Sequence, residues 1–226
     1  MSIKNNRRKF LRQLAVGGAG IATIPNALAA AGNEYHLIRQ ARRFTANDQV
    51  NIALIGAGGM GFEDARSALR VPGVKMVAVC DLYKGNLDKA KRTWGSDIFT
   101  TMDYREILTR SDIDAVIIAT PDHWHKQISV DALMAGKAAY CEKPMVHSVD
   151  EGPAVVEAQR KSGLTYEVGS QGMSSLGNEK AKELLEAGAI GQLIYAEGFW
   201  ARNSPIGAWQ YPIPADASTE TVDWDT

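Results

Sequence analysis

Val50-Asn51-Ile52-Ala53-Leu54-Ile55-Gly56-Ala57-Gly58-Gly59-Met60-Gly61 runs from an apolar stretch straight into a glycine-rich turn, and a helical pattern opens behind it. The first glycine permits a tight strand-to-helix turn, the second lets a pyrophosphate approach the backbone, and the third lets helix and strand pack closely. The phosphates would meet the unpaired N–H groups and the positive end of the helix dipole. A glycine-rich turn alone is a weak signal. Here it is joined by a second strand, Lys75 to Cys80, and by Asp81, which closes that strand where an acid can accept hydrogen bonds from a ribose diol. The stretch predicts a dinucleotide site built on Gly56, Gly58, Gly59, Met60, Gly61 and Asp81, with NAD as the expected cofactor. NADP stays open, because Lys84 could meet a 2′-phosphate.

Upstream, Asn6-Arg7-Arg8-Lys9-Phe10-Leu11 precedes a short apolar stretch, Leu14 to Ala22, and then Ala27-Leu28-Ala29. This order reads as a twin-arginine signal over residues 1–29, with the Tat translocase as partner during export and a periplasmic or otherwise extracytoplasmic destination. The apolar stretch is too short and too rich in glycine to span a bilayer. Twin-arginine export serves proteins that fold around a cofactor before crossing.

The chain has 226 residues and a formal charge of -1. Cleavage near Ala29 would remove Lys4, Arg7, Arg8, Lys9 and Arg12 and no acid, taking the charge to -6. A mildly acidic protein is a poor binder of nucleic acid or anionic membrane. Two cysteines, Cys80 and Cys141, each end an expected strand, and two further strands at about 4.8 Å spacing should separate them, so both read as buried free thiols.

Residues 30–48 read as an arm or linker, and residues 49–171 as the dinucleotide-binding domain. Within it, expected helices near Asn86–Trp94, Tyr104–Thr109, His125–Ala135 and Val149–Lys161 alternate with strands near Ile98–Thr100, Ile113–Ala119, Ala138–Cys141 and Thr165–Val168. Such alternation makes an α/β fold, a Rossmann doubly wound parallel sheet. Ligands bind at the carboxyl ends of such strands, so Gly56, Asp81, Thr120, Glu142 and Gly169 should ring one crevice. Residues 172–226 break the pattern, with one helix at Asn178–Ala187 and a longer strand at Gln192–Arg202.

Three motifs in order, the glycine-rich turn, Ala119-Thr120-Pro121 and Glu142-Lys143-Pro144, make the chain resemble the glucose-fructose oxidoreductase, inositol dehydrogenase and rhizopine-catabolism family, Gfo/Idh/MocA. The resemblance runs from about Val50 to the last residue and is nearest to twin-arginine-exported members, which share a stretch like Gly207 to Tyr211. It implies that residues 172–226 start an α+β domain with an open antiparallel sheet, truncated here, that walls a substrate site and forms subunit contacts. A homo-oligomer is implied for the full-length protein. Lys143 would then sit beside the nicotinamide and the reacting hydroxyl of a sugar or polyol, where an ammonium stabilises charge developing on oxygen or relays its proton.

By the same resemblance Thr120, Pro121 and Asp122 line the nicotinamide ribose, although Asp122 stands where relatives often have asparagine. Glu142 orients the lysine or a ribose, or is a plain strand-end carboxylate. Gln171 stands where relatives read Gln-Arg, and Gly172 replaces the arginine. Trp200, Arg202 and Asn203, with Trp209 and Tyr211, form a sugar platform or packed aromatics. The family's Asp and His pair would lie downstream of Thr226, so the chain reads as an N-terminal piece of the enzyme. His125 reads as a capping or cofactor-facing residue. No metal is expected, because His123 and His125, two apart at a helix start, point away from each other. Competing readings are a glycoside hydrolase or epimerase that oxidises its sugar transiently, and a non-catalytic sugar-binding relative.

Overall fold

The computed structural model describes residues 49–173, 175–199, 201, 205 and 211–225. The export signal and arm expected over residues 1–48 lie outside them, as do Trp200, Arg202, Asn203 and Trp209.

The glycine-rich turn joins β1 (Val50–Ile55) to α1 (Gly59–Ala68), as its sequence demands. The chain continues through β2 (Val74–Cys80), α2 (Lys84–Trp94), β3 (Phe99–Thr101), α3 (Tyr104–Thr109), β4 (Ala115–Ile118), α4 (Asp122–Met134), β5 (Ala138–Cys141), α5 (Gly152–Ser162) and β6 (Tyr166–Val168). All six strands are parallel and lie in the order β3-β2-β1-β4-β5-β6. β1 and β4 are central and covered on both faces, which is why their sequences are continuous apolar runs and not alternating ones.

Side chains of β1 alternate between two cores. Leu54 turns toward Phe62 and Ala65 of α1, while Ala53 and Ile55 turn toward Ile107 of α3 and Ile128 of α4. Each fully buried aliphatic or aromatic side chain contributes about 1.5–3 kcal/mol relative to exposure. The strand order puts β1 and β4 between Cys80 and Cys141, and both thiols are buried and free.

Element ends follow local chemistry. Asp103 caps α3 by accepting from Arg105 N at 2.9 Å. Gly136 closes α4 with a Schellman motif, Gly136 N donating to Leu133 O and Lys137 N to Ala132 O. The helix expected from Val149 starts instead as a 3₁₀ turn, Val149–Glu151, held by a Ser148/Glu151 capping box ahead of α5.

Beyond β6 the structure departs from expectation. The helix forms as α6 (Leu176–Glu186), with every residue exposed. The strand expected over Gln192–Arg202 does not form in its described part: residues 192–199 are irregular, with Ile194 and Phe199 each 90% exposed. Alternating apolar residues make a strand only when a neighbour takes their N–H and C=O groups, and no described segment pairs with them.

Candidate active site

The carboxyl edge of the sheet opens into a cavity of about 510 Å³. Its walls come from the ends of β1, β2 and β4: Gly56, Asp81, Tyr83, Thr120, Pro121 and Trp124. Gly56 holds φ +92°, and a Cβ there would stand 2.6 Å from the Ala119 carbonyl and 2.7 Å from Thr120 N, so only glycine lets this turn lie against the loop after β4. Gly61 is equally constrained, since a Cβ would strike the Gly56 carbonyl. Gly58 and Gly59 differ, because nothing lies within 4 Å of a Cβ built on either. That open space sits over the N-terminus of α1, whose first-turn N–H groups no helix can pair internally. Met60 is half-exposed on the same turn.

Asp81 ties the turn to the end of β2. Its Oδ2 accepts from Ala57 N at 2.7 Å and from Asn86 Nδ2 at 3.1 Å, and its Oδ1 accepts from Tyr83 N at 2.8 Å. Burial pushes its carboxyl above the ordinary value even though all three hydrogen bonds oppose the shift. Thr120 Oγ1 is buried without a partner among the described residues. The residues therefore fit a dinucleotide: an open glycine cradle at a helix N-terminus, an acid at the end of β2, and an unpaired hydroxyl beside them.

Glu142, Gln171 and Gly169 lie apart from this cavity, in a second cluster at the ends of β5 and β6. Glu142 is 5% exposed. Gln171 Nε2 donates to both its oxygens, at 3.2 and 2.9 Å, and the Tyr140 hydroxyl donates to Oε1 at 3.3 Å. Gln171 thus serves Glu142 in this structure. Gly172 has φ +82°, a conformation that the arginine expected from relatives would adopt only under strain. Asp64 on α1 adds a carboxyl to the cluster, its Oδ2 buried and without a partner among the described residues. Burial first, then Glu142 and Glu63, raises Asp64 to about 6. Burial first, then Asp64 and Glu142, pushes the Tyr140 phenol up to about 12.

Lys143 follows Glu142 as an exposed residue, and the Lys143–Pro144 peptide is cis. Asp122 opens α4 and is also exposed. His125 is placed otherwise than expected. It is 1% exposed, and both ring nitrogens are taken by main-chain carbonyls, Nδ1 by Pro144 O at 2.6 Å and Nε2 by Thr120 O at 2.9 Å. It therefore does not turn toward a cofactor; it pins the loop after β4 to the loop after β5. An imidazole donates to two carbonyls only when both nitrogens carry protons. Burial pulls its pKa down, but the contacts with Cys141, Pro144 and Thr120 outweigh burial and raise it to about 9. Among the described residues no group of three or more His, Cys, Asp and Glu could hold a metal, and no helix is long and apolar enough to cross a membrane.

Several parts of the site were missed in the sequence. Asp64 lies one helical turn beyond Gly61, a spacing that places it on the same stretch of α1 surface and could have marked it. Tyr140 stands two residues before Glu142 on one strand face. Residues 222–224, which close the cavity from the far side, gave no local signal.

Residues 50–170 match the family described as the Gfo/Idh/MocA oxidoreductase family, NAD-binding Rossmann fold. The chain is 35% identical over 152 residues to scyllo-inositol 2-dehydrogenase (NAD(+)) of Bacillus subtilis strain 168, covering 67% of this chain and 44% of that protein. It is 30% identical over 209 residues to a glycosyl hydrolase family 109 protein of Shewanella baltica strain OS185, covering 85% of this chain and 45% of that one. In structure it is similar to myo-inositol 2-dehydrogenase from Lactobacillus plantarum, with a TM-score of 0.61, 28% identity, and coverage of 65% of this chain and 44% of the other. The chain thus spans less than half the length of these relatives.

Proposed function

The chain belongs to the Gfo/Idh/MocA oxidoreductase family, and on that premise we propose that the protein is an exported NAD(P)-dependent oxidoreductase acting on a sugar or polyol hydroxyl by hydride transfer. One observation carries the reading: the open cradle over Gly58 and Gly59 and the exposed Lys143 lie along the same carboxyl edge of the sheet. When bound, the nicotinamide supplies the hydride acceptor or donor. The chain's own residues do the rest. The α1 N-terminus and the glycine turn bind phosphate, Asp81 accepts from ribose hydroxyls, and the Thr120 hydroxyl gains a partner. Lys143 holds or relays the proton of the reacting hydroxyl, while Gln171 and Tyr140 fix Glu142 behind it and His125 fixes the two loops.

Export rests on Arg7-Arg8 and the apolar stretch behind them. Little free nicotinamide nucleotide is expected outside the inner membrane, so the cofactor is retained and regenerated in place. Residues 172–226 begin the substrate and oligomerisation domain of the intact homo-oligomeric protein, with Trp200, Arg202 and Asn203 as its sugar contacts. The experiment is to purify the intact exported protein, measure nucleotide released on denaturation, and follow single-turnover absorbance of reduced cofactor with inositols and free sugars. A protein without nucleotide that also fails to bind added NAD or NADP would refute the proposal.

A second reading, a glycosidase that oxidises and re-reduces one substrate, is favoured by the similarity to the Shewanella protein, which extends over 85% of this chain against 67% for the inositol dehydrogenase. Release of an aglycone from a chromogenic glycoside with no net absorbance change of the cofactor would select it.

A further inference from the structure

An acid at the end of β2 takes the adenosine ribose of a dinucleotide, so the cavity that Asp81 lines is the one that receives the adenine base. Its walls carry aromatic rings. Tyr104 and Trp124 meet edge to face, with centroids 6.3 Å apart and planes at 65°, and the Tyr104 hydroxyl donates to Asp131 Oδ2 at 2.6 Å. Tyr83 and Trp224 line the same cavity, and the Tyr83 hydroxyl donates to Asp216 Oδ1 at 2.6 Å. Three of these four rings belong to elements at the carboxyl edge of the sheet. Trp224 comes from far along the chain, beyond α6.

We infer that Trp224 is a further cofactor-binding residue, an aromatic face for the adenine base that the chain delivers to the site from beyond α6. The inference rests on the dinucleotide reading above. Delivery is by main chain: Lys84 N donates to Thr221 O and Asp223 N to Leu82 O, each at 2.9 Å, with an antiparallel bridge between Tyr83 and Val222. The segment is braced from within, because Thr221 Oγ1 donates to Asp216 O at 2.7 Å and accepts from Ser218 N at 2.9 Å. Trp224 Nε1 donates to Ser218 O at 3.2 Å, which satisfies the one polar group of the indole and fixes the ring. The side chain is nonetheless 65% exposed while it lines the cavity. An indole with its N–H satisfied and its apolar surface open gains by covering that surface with a flat partner, and every base has a π-face to offer. Because the ring is held before the nucleotide arrives, little side-chain freedom is lost on binding.

The test measures binding of adenosine diphosphate ribose and of inorganic pyrophosphate, which has no base, by calorimetry on the full chain stripped of nucleotide. Trp224→Leu should weaken adenosine diphosphate ribose by about tenfold, equivalent to 1.4 kcal/mol, and leave pyrophosphate unchanged. Trp224→Phe, which restores a ring without the N–H, should recover most of the loss. Hydrogen exchange on the wild type gives a readout independent of variant folding: adenosine diphosphate ribose should slow the amides of Lys84 and Asp223, and pyrophosphate should not. Wild-type affinity for adenosine diphosphate ribose in Trp224→Leu, an equal loss of both ligands, or no slowing of those amides overturns the role of Trp224 and leaves the dinucleotide reading standing. A wild type that binds neither adenosine diphosphate ribose nor NAD removes both.

Discussion

Replacing His125 by glutamine should flatten the pH dependence of folding stability between about pH 6.5 and about pH 9. In the folded protein the imidazole reaches two carbonyls, Pro144 O and Thr120 O, and its pKa is raised from 6.5 to about 9. A group whose folded pKa is raised contributes its full stabilisation below the unfolded value and loses it as pH rises through the folded value. The contribution is therefore complete below about pH 6.5 and gone above about pH 9. At 1.36 kcal/mol for each pKa unit, it is on the order of 3 kcal/mol across the window, with a slope no steeper than one proton. Glutamine can serve only one of the two carbonyls well and carries no titrating proton. The assay is urea unfolding of the full chain at several pH values from 6 to 10, wild type against variant, so that every other titrating group cancels in the difference. Repeating it in Cys141→Ala separates the thiol's share from that of the carbonyls. Wild-type and His125→Gln curves that run parallel across the window would show that the imidazole is neutral in the folded protein, and the two-carbonyl reading would fail.

Asp64→Asn should stabilise the protein by about 2 kcal/mol above pH 6, the full shift being discounted because the carboxyl is partly exposed to screening solvent, and by little below pH 4, because a carboxyl raised to about 6 opposes folding once ionised; unfolding midpoints at pH 4 and pH 8 check this. Gly56→Ala should cost about 3 kcal/mol or more and weaken nucleotide binding, since both the positive φ and contact with the main chain at Ala119 forbid a Cβ; thermal unfolding and calorimetry measure the two effects. Lys143→Met in the intact protein should leave nucleotide content unchanged while lowering single-turnover hydride transfer by about 10² or more, and near wild-type turnover would remove the lysine from the chemistry. Changing Arg7 and Arg8 together to lysine should leave the protein in the cytoplasm, because the pair is read by a receptor and not as bare charge; unchanged recovery outside the inner membrane would refute the twin-arginine reading.

Much of the fold was legible in short windows. The run from Val50 to Gly61 demanded a strand, a tight turn and a helix, and β1 and α1 form there. The run Ile113–Ala119 read as a strand, and β4 occupies its centre at Ala115–Ile118. The separation of Cys80 from Cys141 followed from strand order alone. The strand expected at Gln192–Arg202 was read by the same local logic and did not form over residues 192–199, because a strand, unlike a helix, borrows its hydrogen bonds from elsewhere in the chain.

The site divides along the same line. Gly56, Asp81 and Thr120 were visible because each stands at the end of a strand whose periodicity is written in its own few residues, and a parallel doubly wound sheet gathers strand ends at one edge. Tertiary packing alone decided that His125 turns inward to bridge two loops and that Asp64 joins Glu142. It alone decided that Asp216 comes to Tyr83 across 133 residues of chain. Backbone conformation and hydrophobic period are properties of neighbours in sequence, and so can be read there. A contact between distant side chains depends on where whole helices and loops come to rest, and that is fixed by the summed burial of both cores and by no single stretch of sequence.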